Sequence, residues 1–148
     1  MRDRAPKIYL YKRIVQAKLF IDHHYGEPID LANISGEAHF SKFHFIRLFK
    51  TIYGKTPHQY LTAVRLEAAK KLLQEGMSVT SSCFTVGFDS LPSFTALFRR
   101  HTALSPSAYQ QKHIKRQAEI KKAPLRFIPA CFAGSYGWSE NSNFGEVA

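Results

Sequence analysis

The sequence predicts an all-α fold of about seven helices, in which one helical unit is written twice before an irregular C-terminal tail. Three observations predict it. Apolar residues recur at i, i+3, i+4 and i+7 along most of the chain up to Lys121, the period of a helix that buries one face. A hydroxyl residue followed by Pro stands at two separate helix starts, Thr56-Pro57 and Ser105-Pro106. A shift of 49 residues superposes Ser41 on Ser90, Phe45 on Phe94, Leu48 on Leu97, Phe49 on Phe98 and Lys50 on Arg99, then Thr56-Pro57 on Ser105-Pro106 and Tyr60 on Tyr109.

Taken in order, the first helix runs from about Ile8 to His24, with Leu10, Ile14, Ala17 and Ile21 inward, and Gly26-x-Pro28 ends it. Asp30 caps a short helix in "LANISGE", and His39 falls at a tight turn where a left-handed backbone is expected. Ser41 caps "KFHFIRLFKTIY", whose core-facing stripe is expected to be Phe45, Leu48, Phe49 and Ile52, and Gly54 stops it. Thr56 caps a long helix from Pro57 to about Glu75, with Leu61, Val64, Ala68 and Leu72 as its expected apolar face. A short helix follows at Val79–Val86, then the turn "GFDS". The next helix spans about Leu91–Thr102 with Phe94, Leu97 and Phe98 inward, and the last starts at Ser105-Pro106 and passes Tyr109.

Composition narrows the function. Hydrophobic residues make up 45%, with 12 Phe and 7 Tyr, enough for a core in a chain of 148 residues. The net charge is +10, and its distribution matters more than its sum. No Asp or Glu occurs from Ala38 to Arg65 or from Ser90 to Ala118, while both stretches are rich in Lys and Arg. Such stretches can be plain solvated surface; falling inside repeated segments, they point to an anionic partner such as nucleic acid. No apolar run reaches the roughly 18 residues of a membrane span, and no signal-peptide pattern opens the chain. Cys83 and Cys131 lack metal-ligand spacing, which fits free thiols and a cytoplasmic setting. His23-His24 and His39/His44 match no ligand pattern, and no nucleophile–base set, P-loop or Rossmann glycine pattern is present. The expectation is a protein that is not an enzyme and uses no metal or cofactor.

A short helix, a tight turn and a capped second helix with a polar face make the helix-turn-helix plan. A repeated helix pair can also be a scaffold without a ligand. Against that, the outward face of the first copy carries Lys42, Phe43, Ile46, Arg47 and Lys50. Two apolar residues expected to be exposed beside three cations suit a DNA groove better than bulk water. Arg bonds guanine O6 and N7, and Phe or Ile packs on thymine methyls. The second copy presents Leu91, Pro92, Thr95, Ala96 and Arg99, with no long donor aimed at bases. Phosphate contacts are expected from Ser41, His44, Lys50, Lys55 and Thr56 around the first unit, and from Ser90, Arg99, Arg100 and Ser105 around the second. The two readers are unequal.

In the order "LANIS", "IRLFK", "GKTPHQYL", "RLEAAKKLL", "VGFDS", "SFTALFRR" and "SPSAY", the chain resembles the DNA-binding module of the AraC/XylS family of bacterial transcription regulators, over roughly Ile8 to Lys112. The resemblance implies two homeodomain-like helix-turn-helix units joined by a rigid linker helix, with double-stranded DNA as partner. It divides the chain into a first subdomain at 8–56, a linker at 57–75, a second subdomain at 76–118 and a tail at 119–148. Recognition helices at about 41–53 and 90–102 would enter successive major-groove faces of one duplex. Base reading carried over falls on Phe43, Ile46 and Arg47, and on Leu91, Pro92 and Ala96.

The chain departs from the family at three places. Ala96 replaces a longer polar residue, Ser82-Cys83 replaces an apolar-Ala pair and should loosen the second core, and Ala103 replaces a helix-ending Gly. No sensing domain is expected before Ile8. The expected complex is a monomer on an asymmetric site.

The tail is expected to pack back on the helical body through Phe127, Ile128, Phe132 and Trp138; a partner surface, a dimer surface or an effector pocket is the sharper reading. The alternative function is a protein-interaction module. It would engage RNA polymerase or another regulator through Phe43 and Ile46 or through the tail, with only weak non-specific DNA binding.

Overall fold

The structure, a computed structural model, describes residues 8–31 and 42–137. It divides into two compact units, Met1–Pro106 and Ser107–Ala148. The first contains α1 (Ile8–His24), α2 (Lys42–Tyr53), α3 (Pro57–Gln74), α4 (Val79–Thr85) and α5 (Leu91–Thr102). α6 (Pro106–Lys122) begins at the boundary, and a 3-10 turn (Pro124–Phe127) and α7 (Ala130–Ser135) follow in the second unit. The described residues contain no strand. The expected helix beginning after Asp30 lies outside the described residues beyond Leu31, as do the His39 turn and the Ser41 cap.

Two aromatic cores build the first unit. Ile14, Ala17 and Ile21 of α1 are buried with Phe45, Leu48 and Phe49 of α2 and Leu61 of α3. Phe49 lies 4.8 Å from Tyr53 and 5.7 Å, edge-on, from Tyr60. The Tyr60 hydroxyl donates to Asp22 Oδ1 at 2.7 Å, and Lys18 Nζ holds the other Asp22 oxygen at 2.6 Å. Burial, with help from Asp22, raises the Tyr60 pKa, so the phenol stays a donor. In the second core Phe94 and Phe98 of α5 are fully buried with Cys83, Val86 and, from α3, Leu66, Ala69 and Leu73. The Phe88 ring lies tilted against Phe94, centroids 5.2 Å apart.

Local chemistry sets the helix starts. Thr56 and Gln59 make a reciprocal capping box: the Gln59 N–H donates to Thr56 Oγ1 at 3.2 Å, and the Thr56 N–H to Gln59 Oε1 at 3.1 Å. Ser78 and Ser90 cap α4 and α5 by accepting from the N–H groups of Ser81 and Ser93. The stops differ between copies. Gly54 ends α2 with φ 72°, whereas its counterpart Ala103 ends α5 with φ 65°, the one non-glycine positive φ among the described residues.

Some expectations of burial do not hold. Ile52 is 37% exposed, because Tyr53 and Tyr60 close the core beside Phe49 in its place. The linker helix does not bury one stripe through Val64, Ala68 and Leu72, which are half-buried. Leu61 with half-buried Val64 faces the first core, and Leu66, Ala69 and Leu73 form a second stripe. Five residues at about 100° each turn the helix by roughly 140° between the two, so each core takes its own side of α3. In the tail, a six-residue helix forms at Ala130–Ser135 despite its Gly and Ser content. Within the second unit Arg116 lies over the Phe127 ring at 5.9 Å, and the Phe132 and Tyr136 rings stand 5.1 Å apart. Trp138 lies outside the described residues.

Glu67 of α3 ties α5 to the linker. His101 Nε2 stands 2.8 Å from Glu67 Oε1, and Lys70 Nζ donates to both carboxylate oxygens at 3.1 Å. The His101 contact above all, then Lys70, holds the Glu67 carboxyl below its ordinary pKa, against an opposing push from burial.

Three predictions concern stability. A non-glycine residue in the left-handed region costs about 1–2 kcal/mol, part of which glycine returns through unfolded-state entropy. Ala103→Gly should therefore stabilise the protein by about 0.5–1 kcal/mol in chemical denaturation. Ser82 Oγ is fully buried without a hydrogen-bond partner, so Ser82→Ala should raise stability by about 1 kcal/mol in the same assay. Because the folded-state pKa of Glu67 is depressed, its contribution is present above the unfolded value of about 4.3 and lost as pH falls through the folded one. Glu67→Gln should cost no more than about 1 kcal/mol at pH 7, given its partial exposure, and denaturation near pH 3 should find the variant and the parent converging.

Candidate nucleic-acid interface

The faces opposite the two aromatic cores are built by the same rule. In a helix with Phe at i and i+4 inward, positions i−2, i+1, i+2 and i+5 face outward or sit at the boundary. On α2 these are Phe43, Ile46, Arg47 and Lys50; on α5 they are Pro92, Thr95, Ala96 and Arg99. The structure treats the copies alike. Phe43 and Pro92 are exposed, as are Arg47 and Ala96, and Lys50 and Arg99, whereas Ile46 and Thr95 are both half-buried. Ile46 is thus not the exposed apolar residue expected: it sits at the edge of the first core and packs against it. Phe43 keeps its expected position, 76% exposed.

Around the first reader Lys42, His44 and Lys55 are exposed, and Ser41 lies outside the described residues. Thr56 is half-buried, and its hydroxyl already accepts the Gln59 N–H. On the second reader Leu91, Pro92, Thr95, Ala96, Arg99 and Arg100 line one open depression of about 700 Å³. Of the groups expected to bind phosphate on this copy, Arg99 and Arg100 therefore share a surface with those expected to read bases. The Ser90 hydroxyl oxygen accepts from the Ser93 N–H at 3.4 Å, and Ser105 is half-buried. A second hollow, about 480 Å³, brings Lys55 and His58 at the start of the linker together with Arg100 and His101 at the end of α5. Lys55 and Arg100 thus line one hollow beside the linker.

A set of contacts beside the linker helix was not picked out from the sequence as a site. Arg65 of the linker donates through Nε to the Tyr25 carbonyl at 2.7 Å and through Nη2 to the Glu27 carbonyl at 3.0 Å, just past the end of α1. Its guanidinium also lies 5.8 Å from the centre of the Phe88 ring in the second reader. Burial lowers the Arg65 pKa, and the Asp89 charge partly restores it. Gly87, at φ 96°, leaves no space: a Cβ there would come 2.7 Å from the Tyr25 carbonyl oxygen and 2.9 Å from Arg65 Nη2. A Cβ on Gly26 would come 3.1 Å from the Thr85 carbonyl oxygen. The available signal was a lone Arg at the margin of an amphipathic helix and a Gly beside an aromatic. Neither names its partner.

No helix is long and apolar enough to cross a membrane, and no group of three His, Cys, Asp or Glu residues is placed to hold a metal, both among the described residues. Cys83 is buried, which pushes its thiol pKa up, and Cys131 is exposed.

The family described as a helix-turn-helix domain matches residues 34–112. The probable transcriptional regulator LumQ of Photobacterium leiognathi is 38% identical over 92 residues, which make up 62% of this chain and 37% of LumQ. The probable transcription factor PqrA of Proteus vulgaris is 34% identical over 87 residues, 58% of this chain and 71% of PqrA. The crystal structure of the DNA-binding domain of AdpA in complex with a target DNA superposes with a TM-score of 0.68 and 27% identity, covering 72% of this chain and 97% of that one. Against LumQ the chain spans well under half of the relative's length. The family match takes in more than half of the chain and both repeated units, and the protein belongs to the helix-turn-helix family of the AraC/XylS type.

Proposed function

We propose that the protein is a sequence-specific regulator of transcription that reads double-stranded DNA as a monomer, through two unequal heads on one asymmetric site. The observation that carries this reading is the pair of equivalent outward faces, on α2 and α5, each standing opposite a closed aromatic core. Residues 8–56 act as the first head, 57–75 as the linker and 76–118 as the second head. Arg47 is the leading base reader, with Lys42, Phe43 and Ile46 beside it. Leu91, Pro92, Thr95 and Ala96 add weak apolar readout. His44, Lys50, Lys55, Arg99 and Arg100, with the hydroxyls of Ser41, Thr56, Ser90 and Ser105, contact phosphates. This assigns the protein no catalysis and places it with the DNA in the cytoplasm. LumQ and PqrA bear names of the same kind.

The exposed Phe43 also suits the other reading, a module that holds RNA polymerase or another regulator and binds DNA weakly. Selection of binding sequences from random duplex DNA at two salt concentrations separates them. The expected result is an asymmetric motif whose half-site centres lie about 34 Å apart. Arg47→Ala should lose about 1–3 kcal/mol of base preference in the stronger half. Arg99→Ala or Arg100→Ala should weaken all sequences alike and reduce the salt slope by about one. No enriched motif, with binding that collapses at moderate salt, would favour the interaction module.

A further inference from the structure

From the contacts Arg65 makes with the end of α1 and with the second head, we infer that it is a positioning residue that fixes the spacing of the half-sites the protein accepts. The inference rests on the tandem-reader proposal and adds to it a residue that touches no DNA.

Two heads joined by a helix alone could roll about that helix. This joint has a second connection. The Tyr25-Gly26-Glu27 segment past α1 meets the Thr85-Val86-Gly87 segment at the end of α4, and the two glycines allow backbone to approach backbone. Arg65 completes the joint: Nε and Nη2 bond two carbonyls of the first head, and its cationic face rests on Phe88 of the second. The guanidinium is planar and delocalised, so donors and ring contact fix one orientation together. These donors are occupied by protein carbonyls, and the side chain is not one of the exposed cations that would meet phosphate.

On B-DNA each added base pair moves the second half-site by about 3.4 Å and turns it by about 34–36° around the axis. A locked joint cannot follow that rotation, whereas a joint free to roll can follow part of it.

The test uses the selected site, rebuilt with the half-site spacing changed by one and two base pairs either way, and the full chain as wild type, Arg65→Lys and Arg65→Met. A duplex carrying only the stronger half-site serves as the control for a folded first head. The wild type should bind one spacing best and lose about tenfold or more per base pair of displacement. Arg65→Met should bind that best spacing about tenfold less tightly, while its loss on displacement shrinks to about threefold. Its salt slope should be unchanged, because no phosphate contact is removed. Arg65→Lys keeps the charge but not the planar fork, and should fall between the two.

A profile as sharp as wild type in both variants, merely lowered at every spacing, would overturn the inference and leave Arg65 as a stabiliser only. If Arg65→Met also loses half-site binding, Arg65→Lys decides: a broadened profile supports the inference and a sharp one overturns it. A wild type indifferent to spacing would overturn the tandem-reader proposal, and the positioning role with it.

Discussion

The burial of Phe45 with Phe49, and of Phe94 with Phe98, is the constraint on which the rest of this molecule depends. A helix of twelve residues has little freedom once two aromatic side chains one turn apart are committed to a core. The opposite face is then determined to within a residue. Losing one such ring costs about 3–5 kcal/mol, a large part of the stability of a small domain. The orientation of the candidate reading faces is therefore a consequence of core packing, and the chemistry they display can vary without disturbing it.

The linker helix extends that constraint from each head to the pair. It presents Leu61 to one core and Leu66, Ala69 and Leu73 to the other, on sides roughly 140° apart. Twisting α3 would open both cores at once. Its capping box sets where the helix begins, directly after Gly54 and Lys55, and so where the second core starts relative to the first. Connection by a doubly buried helix differs from connection by a flexible segment, which would leave each head to find DNA separately.

Much of this was legible in the sequence, because helix ends are local events. Gly54, Thr56-Pro57 and Ser90 each act within a turn of their own position, and the observed bounds of α2, α3 and α5 follow them. The linker's burial was not legible in the same way. A periodicity reading assumes one buried stripe, and α3 has two. Ile52 matched the period of α2 but lost its place to Tyr53 and Tyr60, a choice made by the neighbouring helix start. The outward faces were readable as sets of residues, while Ile46 showed the limit of a binary pattern: a boundary position is neither inside nor outside. The Arg65–Gly87 joint was beyond reach, since it depends on two chain segments meeting some 60 residues apart in sequence.

Ala96 stands at the centre of the second outward face, where the first head has Arg47. It is exposed and borders an open depression. A methyl group there leaves room for a larger side chain, and replacing Ala at an exposed helix position costs no more than about 0.7 kcal/mol of helix propensity for an ordinary residue. The position is therefore an evolutionary degree of freedom. Under the proposed reading, one substitution there changes what the second head presents to DNA while folding, the linker and the first head remain as they are.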